Sequence, residues 1–324
     1  MKLLIAYDGS KCSESALDDL IHAGLPEKGE ALVMSVAEVW LPPPPPPALE
    51  IVEMAANTKG ALGLERKYMA HAQVVKESED MATKAATRFQ ANFPNWKVIH
   101  EAQWGSVNWE LFAKVEEWKA DLIVVGSHGR NALGRVFLGS ISQWLLNEAR
   151  CSVRVARGKI DEPDFPARLV VGLDGSPNSQ IALEQVADRY WPEKSEVRVM
   201  MIDQPLEPTL IGEFVPTVRR SLQECNEEEN AYSLQVVRKA AAYLNKKGLR
   251  AEAVVKVGDP KQGLVQYAEE WRADCIFVGA TGLTNRFERF LLGSTAAAVA
   301  ARAHCSVEVV RKRRRRSNGN GNRN

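Results

Sequence analysis

No uninterrupted apolar stretch in the 324 residues reaches the roughly 20 positions a membrane helix needs. The opening MKLLIAYDGS meets Asp8 after an apolar run too short for a signal-peptide core, so export is not expected. Cysteine is scarce. The five present, an odd number, are scattered without metal-ligand or redox spacing, which fits a reducing cytoplasm. Cys151 and Cys305 stand at matching places in ARCSVRV and AHCSVEV, where a small buried strand residue accounts for them. GxxxxGK[ST] is absent, which disfavours a P-loop ATPase. Net charge is also nearly absent, at +1, but it is unevenly spread. Seven of the 42 Lys and Arg lie in 311–324, a tail with no acid, and the remaining body holds 35 basic against 41 acidic residues. Such a body is not built to hold nucleic acid, and only the 311–316 basic run offers weak electrostatic attraction to it.

What the sequence has in abundance is itself. MKLLIAYDGSKCSESAL lies over ARLVVGLDGSPNSQIAL, with Asp8 matching Asp174. LVMSVAE (32–38) lies over RVMMIDQ (198–204). WGSVNWELFAKVEEWKADLIVVG lies over VGDPKQGLVQYAEEWRADCIFVG, with Gly105 matching Gly258. One duplication covers nearly the whole chain, and the halves differ mainly by a longer loop around 38–63 in the first. The boundaries read as 1–157, 168–311 and a flexible tail, 312–324, with GKIDEPDFPAR as the join. PPPPPP (42–47) in the long loop reads as a stiff surface spacer, and its use as a ligand for an SH3- or WW-type partner has no other support.

Within each copy, short β-branched runs alternate with amphipathic stretches. Strands are expected near 2–7, 31–37, 97–102, 121–126 and 152–156, and helices near 11–24, 64–92, 107–119 and 140–149. The second copy repeats the strands near 168–173, 196–202, 251–257, 274–279 and 305–310. Strands apolar on both faces, alternating with helices, imply a parallel sheet covered on both sides. The expected fold is α/β: two tandem doubly wound, Rossmann-like domains with strand order 3-2-1-4-5.

In such a sheet ligands sit beyond the carboxyl ends of the strands, where the order reverses. Asp8-Gly9-Ser10 closes the first strand and Gly126-Ser-His128-Gly129 closes the fourth, so the two motifs should meet. Ser140 then takes the N-cap position of a helix whose free N–H groups at 140–142 face the glycine loop. That arrangement attracts phosphate without a lysine. Ser10 and Ser176, the latter followed by Pro177, are the natural caps of the preceding helices, which leaves Asp8 and Asp174 for the crevice.

The pattern G-2x-G-9x-G-S, formed by Gly126, Gly129, Gly139 and Ser140, together with Asp-Gly-Ser after the first strand, resembles the universal stress protein family. The resemblance covers both halves. It implies that Asp8 meets the adenosine of ATP and that Val36 offers backbone groups to the adenine. It also implies that Gly126, Gly129, Gly139, Ser140 and Ile141 cradle ribose and phosphates, with His128 and Arg130 adding charge near the phosphate tail. Mg2+ is a companion of such an ATP. Family members commonly pair through the last strand, here CSVRVAR and CSVEVVR, so an internal pseudo-dimer of the two domains is expected, with further homo-oligomers open.

The second copy departs from this pattern. Ten residues separate Gly282 from Gly293, and Leu283 stands where Arg130 stands in the first. The corresponding candidates are Asp174, Ile202, Gly279, Gly282, Gly293 and Ser294, in a cradle that the extra residue is expected to reshape or close. ATP is therefore expected to bind tightly in the first domain, with the second left open. The function implied is an ATP-binding regulatory stress protein without strong turnover. No lysine in the phosphate loop and no carboxylate pair supports the alternative of a slow ATP hydrolase or nucleotidyl transferase. A scaffold without nucleotide is the remaining alternative.

Overall fold

The computed structural model describes residues 1–39, 59–128, 138–157, 166–207, 215–282 and 292–312, with only the backbone described for 59–68. The proline run, most of the join and of the basic tail, and Gly129, Arg130 and Leu283 lie outside the described residues. The chain divides into two compact units, one holding Met1–Glu148 and the other the chain from 165 onward. Residues around 149–157 are shared between them.

The first copy runs β1 (Lys2–Ala6), α1 (Lys11–Asp19), β2 (Glu30–Ala37), α2 (Lys59–Asn92), β3 (Lys97–Trp104), α3 (Val107–Trp118), β4 (Leu122–Gly126), α4 (Ser140–Glu148) and β5 (Ser152–Ala156). The second runs β6 (Arg168–Gly172), α5 (Pro177–Ala187), β7 (Glu196–Asp203), α6 (Pro216–Lys246), β8 (Arg250–Val257), α7 (Pro260–Glu270), β9 (Cys275–Gly279), α8 (Ser294–Arg302) and β10 (Ser306–Val310). The strand order is β3-β2-β1-β4-β5 in the first and β8-β7-β6-β9-β10 in the second. β1 is parallel to both β2 and β4, and β6 to both β7 and β9.

Burial on both faces explains the continuous apolar strands. Leu3, Ile5, Val33, Leu122 and Val124 point to the side that α1 and α2 cover, where Leu17, Leu20, Ala86 and Phe89 meet them. The alternate residues Leu4, Leu32 and Ile123 are as deeply buried on the other face. Each large side chain so buried contributes about 1.5–3 kcal/mol. Phe89, Phe93 and Trp96 pack edge to face or stacked beneath β2, and the Trp96 indole N–H donates to the Pro26 carbonyl at 2.8 Å. β3, next to β2 alone within its unit, leaves Ile99 and Trp104 exposed.

One charge is placed against expectation for a parallel core. Arg154 in β5 is 1% exposed and pairs with Asp19 at the end of α1, Nε to Oδ2 at 2.6 Å and Nη2 to Oδ1 at 3.2 Å. The matching position of β10 holds Glu308, fully buried, which takes a bidentate pair from Arg189 just beyond α5. The strand position carries a buried charge of opposite sign in the two copies, and each finds its partner at a different place after the first strand, since Asp19 matches Gln185. None of the five cysteines is in a disulfide, and Cys151 is buried and Cys305 half-buried, each one residue before its strand.

Candidate functional site

β1 and β4 lie side by side in register Leu3↔Leu122 to Ile5↔Val124, so the turns that follow them emerge together. Gly9 takes φ 73° and Gly175 φ 75°, a region an L side chain rarely adopts, which explains glycine after the aspartate in both copies. The turn brings the Ser10 N–H to Asp8 Oδ1 at 3.0 Å and the Ser176 N–H to Asp174 Oδ1 at 2.9 Å. The sequence leaves both aspartates for a ligand. In the structure one oxygen of each carboxylate already holds the turn. The capping serines are as expected: Ser10 Oγ accepts from the Ser13 N–H and Ser176 Oγ from the Ser179 N–H, both at 3.2 Å.

The glycine loop after β4 closes on itself. Gly139 donates its N–H to the Ser127 carbonyl at 2.8 Å, and its own carbonyl accepts from the Gln143 N–H at 2.9 Å. That second bond makes Gly139, not Ser140, the cap of α4. Ser140 is the first helical residue, because the first helical hydrogen bond starts one position earlier than the serine suggested. The N–H groups of 140–142 still lack helical acceptors and lie at the positive end of the α4 dipole. Ser142 Oγ donates to the Gly126 carbonyl at 2.7 Å, tying α4 to the end of β4. The sequence pattern missed this residue, and its counterpart Ala296 gave no signal.

Gly126 and Gly279 have a packing role. A Cβ on Gly126 would lie 2.9 Å from the Cys12 carbonyl carbon, and one on Gly279 would lie 2.6 Å from that of Asn178. Each strand end is pressed against the first turn of the next helix, so nothing larger than glycine fits. His128 Nδ1 lies 3.1 Å from Ser127 Oγ, which itself lies 3.9 Å from Cys12 Sγ. Burial, and then the charge of Arg157, lower the His128 pKa below the ordinary 6.5. Without a nearby anion the ring is mostly uncharged at neutral pH and offers the crevice a hydrogen-bonding group.

Val36 sits near the end of β2, where it pairs with Gln103. Its counterpart Ile202 pairs with Lys256 and packs its side chain against Gly263 of α7. The second loop closes as the first does, despite its additional residue: Gly293 donates to the Ala280 carbonyl at 2.7 Å, and its own carbonyl accepts from Ala297 at 2.9 Å. Gly293 is likewise the cap, with Ser294 opening α8. The expected reshaping therefore does not reach the ends of this loop. Gly282 lies so near Asp174 that a Cβ on it would be 2.6 Å from Oδ2. Among the described residues no group of three or more His, Cys, Asp or Glu is placed to hold a metal ion, and no helix is long and apolar enough to cross a membrane.

Fold and crevice together define a doubly wound α/β unit, used twice, with a loop-bounded helix N-terminus at the switch point of each sheet. The family model described as the universal stress protein family matches residues 1–157 and 167–311, and the chain belongs to that family. A universal stress protein of Mycolicibacterium smegmatis is 32% identical over 194 residues, covering 59% of this chain and 62% of its own length. One from Synechocystis is 27% identical over 150 residues, 44% of this chain and 97% of the relative. The match thus spans about three fifths of the mycobacterial relative. A universal stress protein structure from Archaeoglobus fulgidus has the same fold, with a TM-score of 0.61 at 18% identity over 96% of this chain and 98% of that one.

Proposed function

We propose that the chain is a regulatory stress-response protein that binds ATP in the crevice of residues 1–157 and turns it over little. The observation that carries this is the convergence at the ends of β1 and β4. The Asp8 turn and the Ser127–His128 corner follow the adjacent strands β1 and β4, and Gly139, bonded to Ser127, caps α4, whose first N–H groups have no helical acceptor and suit an anion. Backbone donors and a helix dipole bind phosphate without the lysine of a P-loop, and the family pattern through Gly129 and Arg130 agrees with that use. Asp8 would serve the sugar through its carboxylate, and Val36 the base through its backbone. Mg2+ enters this reading only as the counter-ion of the phosphates. The second copy, with Leu283 in place of Arg130, is read as the weaker site.

Calorimetric titration of ATP tests the reading, with Asp8→Ala beside the wild type. Loss of a hydrogen bond to a charged group costs about 1.5–3 kcal/mol, so the affinity should fall by more than tenfold, and the melting temperature should fall by a few degrees as well, because Asp8 also holds the Ser10 N–H. Unchanged affinity would remove Asp8 from the site. Phosphate release within minutes would replace the regulatory reading with an enzymatic one.

A further inference from the structure

The two crevices differ at one pair of matched positions that the glycine pattern does not include. Cys12 occupies the second residue of α1, and Asn178 the second residue of α5. Opposite them, past β4 and β9, stand His128 and Thr281. In the first copy neither Cys12 nor Ser10 hydrogen-bonds to His128 among the described residues, and the Ser10 hydroxyl turns toward Ser13 Oγ at 3.4 Å. In the second, Asn178 Nδ2 donates to the Thr281 carbonyl at 3.2 Å and to Thr281 Oγ1. The Ser176 hydroxyl reaches the same carbonyl at 3.5 Å. Asp174 Oδ2 lies against Gly282, the next residue. Two side chains, Asn178 and Ser176, therefore bond to Thr281, and a third, Asp174, lies against Gly282 without a bond to it.

We propose that Asn178 is the residue that sets the two sites apart. It pins the 281–282 turn across the second crevice, and that crevice admits the phosphates of a nucleotide only when the pin opens. The inference rests on reading the crevices as nucleotide sites. It assigns the difference between them to a side chain outside the loop, since both loops close through the same hydrogen bond. The chemistry is simple competition. An incoming phosphate oxygen accepts hydrogen bonds, whereas the Thr281 carbonyl and hydroxyl already satisfy the Asn178 amide and keep the turn against α5. Cys12, with no amide to offer, forms no such pin.

Two measurements on the full-length protein test this. In the absence of nucleotide, amide hydrogen exchange at Gly293, whose N–H donates to the Ala280 carbonyl beside the pinned turn, should be about tenfold faster in Asn178→Ala than in the wild type, the effect of removing hydrogen bonds worth somewhat over 1 kcal/mol. Asn178→Asp keeps the size, suits a helix N-terminus and loses the donor, so it should show the same increase even if the alanine variant folds poorly. Unchanged exchange in both variants overturns the pin, whatever the protein binds. ATP titration is the second measurement. Asn178→Ala should bind one more ATP per chain than the wild type, and Cys12→Asn with His128→Thr should weaken the first site. If exchange rises but no variant or wild-type protein binds ATP, the pin stands as a structural contact and both its role as a nucleotide gate and the ATP reading fall. If the wild type binds ATP and Asn178→Ala gains none, the gate alone is wrong.

Discussion

His128 shows how one residue's chemistry is set by what surrounds it. Its ring lies partly buried beside Ser127, with Arg157 near enough to disfavour a second positive charge. Its pKa in the fold is therefore below that of the unfolded chain. A depressed value means the unfolded state binds the proton more readily, so the stability this residue contributes is present above about pH 6.5 and is lost as pH falls through the folded pKa. Ring proton shifts followed by NMR should show His128 titrating below 6.5 in the ligand-free protein, and His128→Asn should remove its part of the stability loss on acidification. Added ATP should raise the value, since a nearby phosphate favours the charged ring. A titration at or above 6.5 without ligand would mean that Arg157 and burial do not govern the site.

At the scale of elements, the strand–helix joints are tighter than their turns suggest. Gly126 ends β4 directly against the carbonyl of Cys12 in α1, and Gly279 ends β9 against Asn178 in α5. Both contacts are with backbone, which cannot rotate away as a flexible side chain would. Gly126→Ala should therefore force β4 from α1 and destabilise the protein by about 1–3 kcal/mol, the usual range for overpacking. Urea unfolding measures this directly, and a change below about 0.5 kcal/mol would show that the joint yields. The buried pairs Arg154–Asp19 and Arg189–Glu308 brace the same layer, tying the last strand of each copy to the first helix or its exit. In each copy the buried charge is paired, so removing one partner alone would leave the other charge buried and uncompensated.

At the scale of the whole chain, a duplication has produced two copies with the same strand order and unequal crevices. The first copy is proposed to take ATP tightly. Even about 1 kcal/mol lost at each of two or three contacts separates the affinities by well over tenfold. Wild-type protein should then bind one tight ATP per chain, and Gly139→Val should abolish it, because the added side chain stands at the residue that both closes the loop and caps α4. If that variant keeps one tight ATP, or the wild type binds two equally, the ranking of the halves is wrong.

The order of the elements was legible without coordinates. Apolar runs at 31–37 and 152–156 coincide with strands within a residue, and the Asp-Gly-Ser turns and their serine caps fall where the pattern put them. These features are local: a β-branched run, a glycine at positive φ and a hydroxyl before a helix each act through neighbours in sequence. The strand order followed from the alternation of strands and helices together with the general rule for doubly wound sheets. Other features depended on residues distant in the chain. The lowered pKa of His128 comes from burial in the fold and then from Arg157, 29 positions away. The Ser142 tether, the contact of Asp174 with Gly282 and the Asn178–Thr281 bonds likewise join segments that only the parallel pairing of β1 with β4, and of β6 with β9, brings together. Sequence alone determined which elements form and where the turns at the strand ends lie. Tertiary structure decided which groups at those turns are already engaged, because a hydrogen bond across a crevice depends on the distance between strands and not on any spacing within one.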